Sequence, residues 1–322
     1  MESIHQQIEA EYRTIREQNE QERKRRTALI YAKIPQIKEL EEETYQTYSL
    51  LASHMFSEKE NPEQYNQKIL TLQQKKKQLL QQAGYGTDYL ETIYTCPDCQ
   101  DRGYIKTTPC HCYREKKRKY LYQAANLSPI MQTQSFDRFS LRYYSRETEG
   151  NAASPYECMK ENLLLCKEFV ENREYLNGKN LFLYGPPGLG KTFLCSCIAR
   201  ELVALEVPVL YQTAYRLFSI LEGARFQKEE TNIALARQFY EIPVLMIDDL
   251  GTEFVTSYTS AALFDLINSR EQNKKSTVIS TNLNIEQMKE QYSERIQSRI
   301  FGGFQILRFV GRDIRKMKSA EF

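Results

Sequence analysis

The chain has 322 residues and carries 44 Lys and Arg against 42 Asp and Glu, a net charge of +2. That length admits two domains and a sizeable core, and a near-neutral balance singles out no class of charged partner, so local clusters matter more. No apolar run approaches the ~18 residues of a membrane span, and Met1-Glu2-Ser3-Ile4-His5-Gln6-Gln7 lacks the core of a secretory leader, which predicts a cytoplasmic protein without membrane contact.

Residues 1–90 are rich in Glu, Gln, Lys and Arg and nearly free of Gly and Pro. Ile30, Ile34, Ile37, Tyr48, Leu51 and Met55 keep a broken heptad-like spacing. Asn61-Pro62 reads as a cap and first turn of a new helix. Tyr65, Ile69, Leu72, Leu79 and Ala83 give that helix one apolar face, and Gly84-Tyr85-Gly86 stops it. The pattern predicts a helical hairpin or small bundle, either self-contained or docking a partner. The basic run Arg23-Lys24-Arg25-Arg26 reads as a solvated helix face.

Residues 91–120 hold four of the eight cysteines. Cys96-Pro-Asp-Cys99 and Cys110-His111-Cys112 bring two thiol pairs within reach of one tetrahedral Zn²⁺, with Gly103 supporting the turn between the halves. The ligand set is read as Cys96, Cys99, Cys110 and Cys112, with His111 able to replace Cys110 or Cys112. Four protein ligands leave no open position, so such a zinc is structural. Cys158, Cys166, Cys195 and Cys197 fall in helical or core-like segments, a usage that fits a reducing compartment. Arg114 and Lys116-Lys117-Arg118-Lys119, interleaved with Tyr113, Tyr120 and Tyr122, suit either a nucleic-acid strand or a solvated helix.

Residues 121–160 read as a linker, because Ser128-Pro129 and Asn151-Ala152-Ala153-Ser154-Pro155 break the periodicity. Residues 161–322 alternate apolar strands with amphipathic helices, which predicts an α/β domain with a central parallel sheet. Candidate strands are Leu181–Tyr184, Pro208–Tyr211, Val244–Ile247, Thr277–Thr281 and Gln305–Phe309, with helix caps at Ser257 or Thr259 and at Asn284.

Gly185-Pro186-Pro187-Gly188-Leu189-Gly190-Lys191-Thr192 matches the P-loop pattern, lying between an apolar strand and a helix opening at Phe193. Such a loop turns its N–H groups onto phosphate oxygens at a helix N-terminus. Lys191 then reaches the β and γ phosphates of ATP, and Thr192 holds Mg²⁺. Val244-Leu245-Met246-Ile247 ends in Asp248 and Asp249, the first placed for Mg²⁺ and the second for polarising a water. Asn282 ends another apolar strand and can orient that water. Arg295 and Arg299 are four apart on one helix face, suited to surface ion pairs or to a neighbour's γ-phosphate. Arg315 follows the last strand and can close over the nucleotide.

In combination, the P-loop, Leu-Met-Ile-Asp-Asp-Leu-Gly, Ser-Thr-Asn-Leu-Asn and Glu-Arg-Ile-Gln-Ser-Arg-Ile resemble the AAA+ ATPases, and within them the bacterial replicative-helicase loaders of the DnaC/DnaI type. The resemblance covers roughly residues 90–322, and the IstB transposition ATPases share the subgroup. It implies Lys191 and Thr192 as the Walker A pair, Asp248 as the Walker B acid, Asn282 as sensor 1, Arg295 as the arginine finger and Arg315 as the sensor 2 arginine. Asp249 stands where most AAA+ enzymes carry Glu, with Glu253 as a weaker substitute. The implied organisation is a helical partner-binding region over 1–90, a zinc element over 91–120, a linker over 121–160 and an AAA+ domain over 161–322. Loaders of this type also imply a hexameric helicase and single-stranded DNA as partners, self-association through the ATPase domain, and a DNA path near Tyr215–Gln227. An IstB-like regulator acting with a transposase on duplex DNA is the alternative, and an adaptor whose ATP site only stabilises the fold is a third.

Overall fold

The computed structural model describes residues 4–54, 62–148 and 153–320. The chain divides into two compact units, Met1–Lys117 and Arg118–Phe322. Met55, Asn61, Asn151 and Ala152, to which the sequence assigned an apolar position, a cap and linker positions, lie outside the described residues.

In the first unit, α1 (Ile4–Lys33) and α2 (Pro35–His54) are separate helices. Pro35 has no N–H to continue the ladder, so the chain restarts there with proline in the first turn. This break explains the interrupted heptad: Ile30 and Ile37 are buried on either side of it, while Tyr48 further along α2 is exposed. Helix α3 (Pro62–Gln82) packs on α2, and Ile30, Ile37, Leu80 and Leu90 form their shared core. Leu80, not Ala83, completes the buried face of α3 with Ile69 and Leu72. The helix ends where Gly84 takes a left-handed φ of 81°, which lets the Tyr85 N–H reach back to the Leu80 carbonyl at 2.9 Å. Arg23, Arg25 and Arg26 pair with Glu20 and Glu22 within one turn of α1, as a solvated face does.

The cysteine segment follows. A two-residue hairpin, β1 (Tyr104–Ile105) and β2 (Thr108–Pro109), separates the thiol pairs, and α4 (His111–Ala124) begins on the second pair. The boundary between the units falls within α4.

The second unit opens with the rest of α4, a short helix α5 (Pro129–Gln132) and two 3₁₀ turns at Phe136–Arg138 and Leu141–Tyr143. Tyr122, Ala125, Leu127 and Tyr144 from this stretch are buried in the domain core. Helix α6 (Pro155–Glu171) is capped by Ser154, whose hydroxyl accepts the Glu157 N–H. The sheet then comprises β3 (Asn180–Tyr184), β4 (Val209–Thr213), β5 (Val244–Leu250), β6 (Ser276–Thr281) and β7 (Phe304–Arg308) in the order β4-β5-β6-β3-β7, every pair parallel. Alternation along the strands sorts the core. Leu181, Leu183, Val244 and Met246 face one layer, with α6 and α7 (Lys191–Ala204). Phe182, Leu245, Ile247 and Ile279 face the other, with α8 (Ala214–Glu222), α9 (Glu230–Glu241), α10 (Ser257–Gln272), α11 (Ile285–Gln291) and α12 (Glu294–Gly303). The final helix, α13, spans Ile314–Ala320.

Asn284 caps α11 as expected, but α10 is capped by Thr256 rather than Ser257 or Thr259. Thr256 is extended and its hydroxyl accepts the Thr259 N–H at 3.1 Å, which makes Thr259 the third helical residue. Among the described residues no helix is long and apolar enough to cross a membrane.

Candidate active site

Parallel strands aim their carboxyl ends at one edge of the sheet, and the site is built there. β3 feeds the loop Gly185–Gly190, which ends in α7 with Gly190 as its cap at φ 88°. Gly185 has a φ of 138°, and a Cβ there would sit 2.2 Å from the Phe309 carbonyl oxygen, so glycine is what lets the loop lie against the segment after β7. The Ile314 N–H donates to the Gly188 carbonyl at 3.0 Å, which fixes the start of α13 and with it Arg315.

Lys191 is 5% exposed, and its Nζ donates to the carbonyls of Gly185 at 2.6 Å and Pro186 at 2.8 Å. Burial pulls its ammonium down to about 8, against the opposing charges of Asp249 and Asp248. The Thr192 hydroxyl donates to Asp248 Oδ1 at 3.3 Å. Asp248 and Asp249 sit where β5 loses register with β6, and Asp249 has a φ of 55°. Burial and the neighbouring Asp248 charge raise the Asp249 carboxyl above the ordinary carboxylate range. Asn282 Nδ2 donates to Asp249 Oδ1 at 3.0 Å.

Lys191, Thr192, Asp249, Asn282 and Arg315 line one cavity of about 340 Å³, together with Pro187–Gly190 and Phe193. Asp248 lies behind Thr192. Gly185 and Pro186 supply the carbonyls under Lys191. The sequence did not assign the opposite wall: Gln134, Arg138, Phe139, Ser140, Tyr143 and Tyr144. The Phe139 ring is 5.9 Å from both Tyr144 and Phe193, and the Tyr144 hydroxyl donates to the Leu189 carbonyl at 2.9 Å. An aromatic shelf beside a phosphate-type loop suits a planar base. The density of aromatics in a polar stretch, Phe136, Phe139, Tyr143 and Tyr144, was the available signal.

The remaining candidates fall elsewhere. Arg295 is on the exposed face of α12, outside the cavity lining, while Ile296 and Ile300 turn inward. Arg299 is engaged by Glu271 at 2.9 Å. Glu253 is buried, accepting the Gly251 N–H at 2.8 Å and the Tyr292 hydroxyl, and it does not line the cavity. Tyr113 and Tyr122 are buried, which removes them as surfaces for stacking bases. Lys116 pairs with Glu11. Tyr215 and Phe226 are exposed on α8 and on the π turn that follows it.

In the first unit, the sulfurs of Cys96, Cys99, Cys110 and Cys112 all lie within 4.8 Å of one another. Cys96 and Cys110 are 3.8 Å apart and Cys99 and Cys112 3.4 Å, close to the ~3.8 Å edge of a tetrahedral ZnS₄ centre with ~2.3 Å bonds. The donor set therefore fits Zn²⁺. His111 is exposed, with Nδ1 3.3 Å from Asp98, and makes a second grouping with Asp98 and Cys110. The Gly103 N–H donates to Cys99 Sγ at 3.3 Å. Asp101 accepts the backbone N–H groups of Thr95 and Cys96. Helix α1 latches onto this knuckle: Tyr12 Oη is 3.0 Å from Cys112 Sγ, Arg16 donates to the Asp101 carbonyl at 2.8 Å and Asn19 to its carboxylate at 2.9 Å.

The parallel sheet, the P-loop at the end of β3, the paired acids at the end of β5 and the polar tip of β6 together form a nucleotide site like that of the AAA+ P-loop ATPases. Residues 159–300 match the family of IstB-like ATP binding proteins. The chain is 28% identical over 212 residues to the phage-like element PBSX protein XkdC of Bacillus subtilis (strain 168), covering 60% of this chain and 73% of that one. It is 23% identical over 187 residues to the replicative helicase loader DnaC of Escherichia coli (strain K12), covering 58% and 71%. Among solved structures, the DnaC helicase loader aligns at a TM-score of 0.47 with 21% identity, over 57% of this chain and 100% of that one. DnaI aligns at 0.43 with 23% identity, over 58% and 93%. On the strength of the sequence matches, the chain is similar to AAA+ ATPases of the DnaC/IstB type.

Proposed function

We propose that the protein is an ATP-dependent loader that places a hexameric replicative helicase on single-stranded DNA in the cytoplasm. The observation that carries this reading is the match to a replicative helicase loader over 58% of the chain. Lys191 and the loop N–H groups bind the phosphates. The hard oxygen donors of Thr192 and Asp248 suit Mg²⁺, which when bound supplies charge neutralisation on the β and γ phosphates. Asp249 polarises the attacking water and Asn282 orients it, consistent with the 3.0 Å bond between them. Arg315, at the cavity wall, closes over the nucleotide. Arg295 acts as a finger into the site of a neighbouring copy; its side chain is exposed and makes no hydrogen bond or ion pair with the described residues, which leaves it available.

The helices of the first unit and a Zn²⁺ held by Cys96, Cys99, Cys110 and Cys112 form the helicase-holding region. Tyr215, Arg225 and Phe226 meet DNA through rings and charge. ATP and ADP states differ in affinity for neighbour, DNA and helicase, and that difference drives release. The test is capture of purified replicative helicase from the same cell by the full chain with ATP, followed by helicase loading on single-stranded DNA with Lys191→Ala as control. Capture and loading that depend on Lys191 support the proposal. Failure of capture, with recovery of a transposase on duplex DNA, favours the IstB-like alternative raised by the family match.

A further inference from the structure

We propose that Ser280 is the positioning residue for both acids of the site, a hydroxyl bridge between Asp248 and Asp249. This rests on the reading that the cavity binds and hydrolyses ATP. β5 and β6 pair residue for residue from Val244 opposite Ser276 to Ile247 opposite Ile279, and the next pair is Leu250 opposite Thr281. Two residues of β5, the two acids, therefore stand against one residue of β6, which is Ser280. An extra residue of this kind bends the strand and re-aims its side chains. Here it leaves Asp249 in the left-handed region at φ 55°, a conformation that is strained for a residue with a Cβ.

Such a backbone persists only where its surroundings fix it. Ser280 is fully buried and its one hydroxyl is used in both directions. Its O–H donates to Asp248 Oδ1, and its Oγ accepts the Asp249 N–H at 3.0 Å. The next two side chains, the last of β6 and the one just beyond it, hold the same bulge. Thr281 Oγ1 donates to the Leu250 carbonyl, and Asn282 donates to the Asp249 carboxylate. Ser280 is the member of this clasp that bonds both acids. It does not line the cavity, so it acts through them rather than on a nucleotide. Removing the hydroxyl leaves a part-buried N–H unsatisfied and leaves Asp248 Oδ1 with only the longer Thr192 hydroxyl bond to hold it. The phosphate cradle around Lys191 is unchanged.

The test compares full-length Ser280→Ala, Ser280→Thr and Ser280→Val. Thr keeps the hydroxyl, and Val has the same shape without it. Steady-state ATPase with single-stranded DNA present is measured beside binding of a fluorescent ATP analogue. Expected for Ala and Val is a loss of kcat of about 10- to 100-fold, the scale of a misplaced reacting group, with nucleotide Kd within about 3-fold. Thr restores kcat. Unchanged kcat in Ala, or equal losses in Thr and Val, overturns the proposal. Crystal structures of the Ala and Thr variants read the bridge without reference to turnover. Asp249 leaves the left-handed region in Ala and keeps it in Thr; an unmoved Asp249 in Ala overturns the bridge. A wild-type chain that hydrolyses no ATP refutes the ATPase reading alone, because those structures still decide the role of Ser280.

Discussion

Lys191 offers a quantitative link between burial and nucleotide binding. In the unliganded protein its ammonium titrates at about 8, because the P-loop encloses it and two carbonyl oxygens only partly replace water. Its protonated fraction is then about 0.9 at pH 7, 0.5 at pH 8 and 0.1 at pH 9. The phosphates of ATP, placed beside it, return it to full charge. Binding must therefore take up about 0.1 proton at pH 7, 0.5 at pH 8 and 0.9 at pH 9, and Kd should weaken by roughly 10-fold between pH 7 and pH 9. Calorimetry in buffers of differing ionisation enthalpy, between about pH 7.5 and 9, yields the proton count directly. Lys191→Arg stays charged and should lose the pH dependence while binding more weakly. The sign for stability is the reverse of that for binding. A lysine depressed from 10.5 to about 8 binds fewer protons folded than unfolded in that window, so the unliganded chain gains stability as pH rises through it. A flat Kd from pH 7 to 9 with no proton uptake would refute the reasoning.

Two further predictions concern the scaffold. Arg270 is fully buried and donates to the carbonyls of Phe239 at 2.7 Å and Ile242 at 2.9 Å and to the Thr277 hydroxyl at 2.9 Å. Arg270→Met orphans carbonyls at the end of α9, a loss of about 2–4 kcal/mol after relief of the guanidinium's desolvation. That corresponds to a fall of roughly 5–15 °C in thermal denaturation followed by circular dichroism, and a change under about 2 °C would contradict it. At the knuckle, the purified protein should carry one zinc per chain by metal analysis. Tyr12→Phe, which removes a bond to Cys112, should weaken retention against a chelator by about 10-fold; unchanged retention would assign Tyr12 to packing alone.

What was legible in the sequence follows the range of the interactions concerned. All five strands of the sheet were readable because each is a short apolar run between polar stretches, and the P-loop and the acid pair follow two of them directly. Strand ends were less clear: β5 continues through Asp248 and Asp249 because pairing resumes at Leu250 beyond the bulge. Three hydroxyl residues within four positions hid which one caps α10. The aromatic wall of the cavity was missed because Phe139 and Tyr144 lie in turns that carry no period for a pattern to show. Tyr113 and Tyr122 read as possible stacking surfaces, since alternation with lysines does not reveal that the rings turn inward. Cysteine spacing disclosed the thiol cluster, but Tyr12 could not be joined to it, because the contact spans 100 positions.

That span has a consequence for the order in which the protein is made. Helix α1 is made before the knuckle it closes upon: Cys112 is added about 100 residues after Tyr12, which at ~5–20 residues per second is a wait of about 5–20 s. During that interval Ile8 and Tyr12, both buried in the finished unit, have no knuckle to close upon. The nascent helix is an exposed amphipathic segment for that time, open to chaperones and proteases, until the second thiol pair emerges.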